Sequence, residues 1–120
     1  MNKIWRVRPS APSIGRSYWK SVVEQVEFYG RIDAHIDVYY LHRETEKCFY
    51  VTARNDDHQP YRQLKEDGEW FHSEDDALQY LSKRIAEHRE ICLSFADAFE
   101  RLMLEISLTQ DAIAEKNHDN

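Results

Sequence analysis

Between residues 78 and 113 the apolar positions recur every three or four residues without a slip. Written as heptads, the a positions are Leu78, Ile85, Cys92, Phe99, Ile106 and Ile113, and the d positions are Leu81, His88, Phe95, Leu102 and Thr109. Such a period lines one face of an α-helix, and Ala77, Ile91, Ala98 and Ala112 at g make the face wider than a bare coiled-coil seam. Ser73 followed by Asp76 resembles a capping box, and Glu74, Asp75 and Asp76 crowd the first turn, where the helix dipole favours negative charge. The pattern therefore predicts a helix over residues 73–116. Ser94 and Asp97 repeat the capping spacing and offer a break into two shorter helices, but the unbroken phase across Ser94 favours one.

Upstream the period changes to two. Ile32, Ala34, Ile36, Val38 and Tyr40 alternate with Asp33, His35, Asp37 and Tyr39, as in a half-buried strand. A turn at "RETEK" and a β-rich run from Cys48 to Ala53 complete an antiparallel hairpin over residues 31–54. "NKIWRVR" reads as a short edge strand ended by "PSAPS", and "NDDHQP" as a turn. "YRQLKEDGEWF" reads as a smaller hairpin around its Asp-Gly pair. Residues 17–29 are ambiguous: Trp19, Val22, Val23 and Val26 have helical spacing with Ser17 as cap and Gly30 as stop, while the valines favour strand. The spacing selects helix.

The expected fold is α+β: a small antiparallel sheet of three to five strands, with hairpin 31–54 central, packed on helix. The 120 residues are one domain's worth. A helix over 73–116 would be about 65 Å long against about 30 Å for such a domain, so it should project beyond the sheet. That leaves Phe95, Phe99, Leu102 and Ile106 uncovered, as an interface for a partner, and a second copy of the chain is the expected one.

Charge adds a division to this picture. Up to Lys65 there are 11 Lys and Arg against 8 Asp and Glu, and beyond it 5 against 14, which together give the net charge of -6. Lys3, Arg6, Arg8, Arg16 and Lys20 all precede the first acidic residue, Glu24. Interleaved with Trp5, Tyr18 and Trp19, these cations suit nucleic acid, which is the alternative partner. Edge-strand protection with core aromatics accounts for the same residues and is preferred. On the helix, Glu90 and Asp97 fall at f and Glu100 at b, an acidic surface that could imitate a phosphate backbone, although interleaved Lys and Arg also suit ordinary surface pairing.

Catalytic signatures are scarce. The sequence contains no GxGxxG, P-loop, GxSxG or HExxH, and three glycines leave little for a phosphate cradle. His88 and Cys92 supply half of a zinc site without a second pair at finger spacing, and packing explains them better. Asp33, His35 and Asp37 would share one strand face and could bind a metal or move protons, although solvation of that face explains the alternation better. The two cysteines are expected reduced and packed. No apolar run reaches the 18 residues of a membrane span and no signal-like segment precedes the arginines, so a cytoplasmic chain is expected. The expectation is a non-enzymatic interaction protein without a cofactor: a small regulator, adaptor or inhibitor.

Overall fold

The hairpin forms the middle of the sheet. β2 (Ile36–Glu44) and β3 (Cys48–Thr52) pair antiparallel, with an irregularity between Leu41 and Arg43. Thr45 closes the turn: its N–H donates to the Cys48 carbonyl at 2.8 Å, and its hydroxyl accepts from the Cys48 N–H at 3.2 Å. β1 (Lys3–Val7) lies on the other side of β2, with Ile4 opposite Tyr39 and Arg6 opposite Asp37. β4 (Tyr61–Leu64) pairs with β3, and β5 (Glu69–Phe71) with β1. The fold is α+β, with a five-stranded antiparallel sheet in the order β4-β3-β2-β1-β5 and a long C-terminal helix, α2 (Glu74–His118). The computed structural model describes residues 2–12, 21–53 and 59–118. Arg16, Lys20, the expected Ser17 cap and most of the "NDDHQP" turn lie outside them.

β4 and β5 do not form the hairpin that the Asp-Gly pair suggested. They stand at opposite ends of the strand order, yet only residues 65–68 separate them. So short a link requires the sheet to curl until its edges approach. Two contacts show the curl: Arg6 Nη1 of β1 donates to Gln63 Oε1 of β4 at 3.5 Å, and the Phe49 ring of β3 lies 4.9 Å from that of Trp70 in β5. Gly68 makes the turn possible. Its φ of 148° is one that side chains avoid, and a Cβ there would come within 2.9 Å of the Val7 carbonyl oxygen.

The curled sheet has two apolar faces. Inside lie Ile4, Tyr39, Phe49 and Val51, with Leu41 and Trp70 packed on them. Outside, Val7, Ala11 and Ile36 meet Ala77 and Leu81 from the first turns of α2, flanked by Trp5, Phe71, Leu78 and Tyr80. The helix begins where the capping pattern placed it, with the Ser73 hydroxyl accepting from the Asp76 N–H at 3.3 Å. No break follows at Ser94, whose hydroxyl donates to the Glu90 carbonyl of the preceding turn at 3.0 Å instead of opening a new helix.

Two local expectations need correction. α1 (Val22–Tyr29) is a helix, but Ser21 caps it by accepting from the Glu24 N–H, and its buried position is Gln25. Val22, Val23 and Val26 are exposed, and Gln25 is the position that turns inward. The alternation at 32–35 is not strand either: Ile32–Ala34 is a single 3-10 turn, closed by the Ala34 N–H on the Arg31 carbonyl, and Ile32 faces outward. Among the described residues no helix is long and apolar enough to cross a membrane.

By compactness the chain divides into two units, Met1–Ala86 and Glu87–Asn120. The first holds the sheet, α1 and the opening turns of α2; the described residues of the second are all helix.

Candidate functional site

The second unit presents the surface that the heptads anticipated. Phe95, Phe99, Leu102 and Ile106 are 60, 64, 53 and 50% exposed. Every residue from Arg89 to His118 is exposed, so nothing among the described residues covers the stripe. Steps of four, three and four residues put these side chains one above another along a single helical face. Ile91 at g and Met103 at e flank the stripe and are exposed too. Leu93, Leu104 and Leu108 lie off it, at b, f and c, so the apolar surface is broader than a two-stranded seam alone requires.

The acidic residues occupy the other faces. Glu90, Asp97 and Glu100 are exposed at f, f and b. Arg89 reaches Glu90 at 3.6 Å, a pairing of two solvated side chains that adds little stability. His88 and Cys92 do meet, with Sγ 3.7 Å from Nε2. Cys92 is exposed rather than packed, unlike the buried Cys48. The difference is one of surroundings: the stripe that would pack Cys92 has no cover within the described chain.

In the first unit the chemistry gathers around Asp37. Arg6 Nη2 donates to Oδ2 at 2.7 Å, and Arg8 Nη2 donates to Oδ1 at 2.7 Å. The antiparallel pairing of β1 with β2 creates this cluster, since Arg6 stands directly opposite Asp37. The Arg6 guanidinium also lies 5.7 Å from the Tyr39 ring centre and 5.5 Å from that of Trp70. It roofs the aromatic interior of the curl as a cation over π faces. Arg8 Nη1 donates to the Ala34 carbonyl at 3.0 Å. Burial pushes the Asp37 carboxyl up, but hydrogen bonds from Arg8 and then Arg6, with their charges, outweigh it and hold it below the usual carboxylate value. The same hydrogen bond raises Arg8 further.

Of the cations suggested for nucleic acid, Arg6 and Arg8 are thus committed to a neighbouring carboxylate. Lys3 is exposed, its ammonium 5.6 Å from the Tyr40 ring centre. The Asp33, His35 and Asp37 row is dissolved by the 3-10 turn. Asp33 pairs with Arg31 at 2.8 Å, and the buried His35 donates Nε2–H to the Tyr29 carbonyl at 2.7 Å. An open cleft of about 110 Å³ is lined by Arg8, Phe28, Arg31, Asp33 and Ala34, and neither His35 nor Asp37 reaches it. Among the described residues no three His, Cys, Asp or Glu side chains converge as metal ligands do.

Reading the sequence missed Asp37 as a hub and Trp70 as the lid of the inner core. Part of the signal for the first was present, since Arg6 in β1 and Arg8 just beyond it are two residues apart, but the acid they share is set by the pairing of β1 with β2. No family model, no curated protein and no solved structure matches this chain.

Proposed function

We propose that the chain is a non-enzymatic interaction module, a small regulator, adaptor or inhibitor, that self-associates through residues 87–118. One observation carries this reading: the exposed stripe of Phe95, Phe99, Leu102 and Ile106 at heptad spacing on a continuous helix. Water around such a stripe is costly, and the stripe is long enough to make an interface of ordinary size. If Ile91, Phe95, Phe99, Leu102, Met103, Ile106 and Ile113, on and beside the stripe, each give up on the order of 100 Å², two copies bury roughly 1,400 Å², within the range of about 1,200–2,000 Å² for stable interfaces. Light scattering coupled to size exclusion, at tens of micromolar, should return twice the 14.4 kDa chain mass.

In the dimer, Glu90, Asp97 and Glu100 would stay on the outer faces of the helices. They form the surface for a basic partner, one that ordinarily binds a phosphate backbone. Electrostatic complementarity of this kind acts mainly on association rate and is screened by salt. With poly-lysine as probe, neutralising all three with Gln, Asn and Gln should slow association several-fold at low salt. An unchanged rate would reduce these carboxylates to solubilising surface.

A further inference from the structure

Resting on the self-association proposed above, we infer that the two helices run antiparallel, with Phe99 of one copy facing Leu102 of the other.

In a parallel dimer every a and d residue faces its own copy, and each g residue faces the e residue five positions on. His88 would pack against His88 and Cys92 against Cys92 in adjacent layers.

Reversing one helix about the midpoint between residues 99 and 102 removes those conflicts. The core layers become Phe99 with Leu102, Phe95 with Ile106, Cys92 with Thr109, and His88 with Ile113. Large side chains fill the centre, and the small polar pair falls together toward either end. Thr109 suits that layer because its hydroxyl already donates to the Glu105 carbonyl at 2.8 Å, which satisfies its hydrogen and frees its methyl for the seam. At the flanks, g residues meet g and e residues meet e. Ala98 then faces Glu105, Ala112 faces Ile91, and Ala96 faces Met103. Each alanine lies opposite a long side chain, the alternation that lets two helices approach without voids. Arg89 faces the neutral Gln110, and no like charges meet.

Sliding by one heptad is worse in either direction. One slip puts Glu105 against Glu105. The other puts Ala98 against Ala98 and Ala96 against Ala96, and shortens the overlap.

Thr109→Cys tests this in the full-length chain, with Cys92 left in place. The two positions lie seventeen apart on one helix and cannot bond within it, so a disulfide between them must join two copies. Mild oxidation of the variant is expected to convert most of it to a covalent dimer, with peptide mapping linking Cys92 to residue 109. The wild type should remain free of a Cys92–Cys92 bond. A wild type that cross-links through Cys92 would establish parallel helices and overturn the orientation while leaving self-association intact. A variant that sediments as a dimer yet forms no Cys92-to-109 bond would overturn this register. A wild type that stays monomeric would overturn the self-association itself, and the orientation with it.

Discussion

Asp37 receives Arg8 side-on: Nη2 reaches Oδ1 at 2.7 Å, while Nε lies 3.2 Å from both carboxylate oxygens. Arg6 holds the other side of the same carboxylate at 2.7 Å. One acid therefore neutralises half of a basic cluster at the rim of the curled sheet, where side-chain exposure is 16% for Asp37, 18% for Arg6 and 40% for Arg8.

Asp37→Asn keeps the shape but strands two guanidinium groups over an aromatic layer. Breaking a fully buried pair costs about 3–5 kcal/mol, and the exposure of Arg8 brings the expected loss down to about 2 kcal/mol. Urea denaturation followed by the fluorescence of Trp5, Trp19 and Trp70, all between residues 1 and 86, measures it. A change under about 0.5 kcal/mol, the usual scale of a surface substitution, would show that the cluster is decoration.

The same carboxylate sets an acid limit. Its folded-state pKa is depressed, so its stabilisation is present above the unfolded Asp value of about 3.9 and is lost as pH falls through the lower folded value. The contribution of Asp37 to the stability of the first unit should hold level down to about pH 5 and then decline. The Asp37→Asn variant should start lower and fall less over that acid range. Glu44 is also held below its ordinary value by its hydrogen bond to Lys65, but it stands in open solvent and adds little to the slope.

These properties separate what the residues disclosed from what they could not. The central hairpin, the start of α2 at Ser73 and the continuity of the helix were legible, because long periodic runs and capping residues act locally. The partner of each edge strand was not. "EDG" marks a genuine turn, but whether it returns a strand to its neighbour or carries it to the far edge depends on curvature, which Gly68 and its contact with β1 impose. Local pattern failed again at residues 32–35, where alternation suited a strand and the chain makes a 3-10 turn instead. In α1 the three valines looked like a buried stripe, and Gln25 is the residue buried. Of the candidate surfaces, the heptad stripe was legible as spacing. The arginine cluster was not, since its meaning appears only when β1 is paired with β2.

The first unit should lose most when its outer core is opened. Leu81→Ala removes a 3% exposed side chain from the contact between α2 and the sheet and should cost about 3 kcal/mol. Ser73→Ala removes only the hydroxyl that accepts from Asp76 N–H and should cost about 1 kcal/mol. Thermal or urea melts of the two variants give the comparison. Equal losses would mean that the start of the helix is held by its cap and not by packing.

Self-association through the exposed stripe is tested most directly by sedimentation equilibrium of the wild type and Phe99→Asp from low to high micromolar concentration. The wild type should fit a dimer, and the variant a monomer, with its dissociation constant raised at least about 100-fold because each copy would bury an unpaired carboxylate in the seam. A wild type that remains monomeric at high micromolar concentration, or a Phe99→Asp variant that dimerises as well as the wild type, would contradict it.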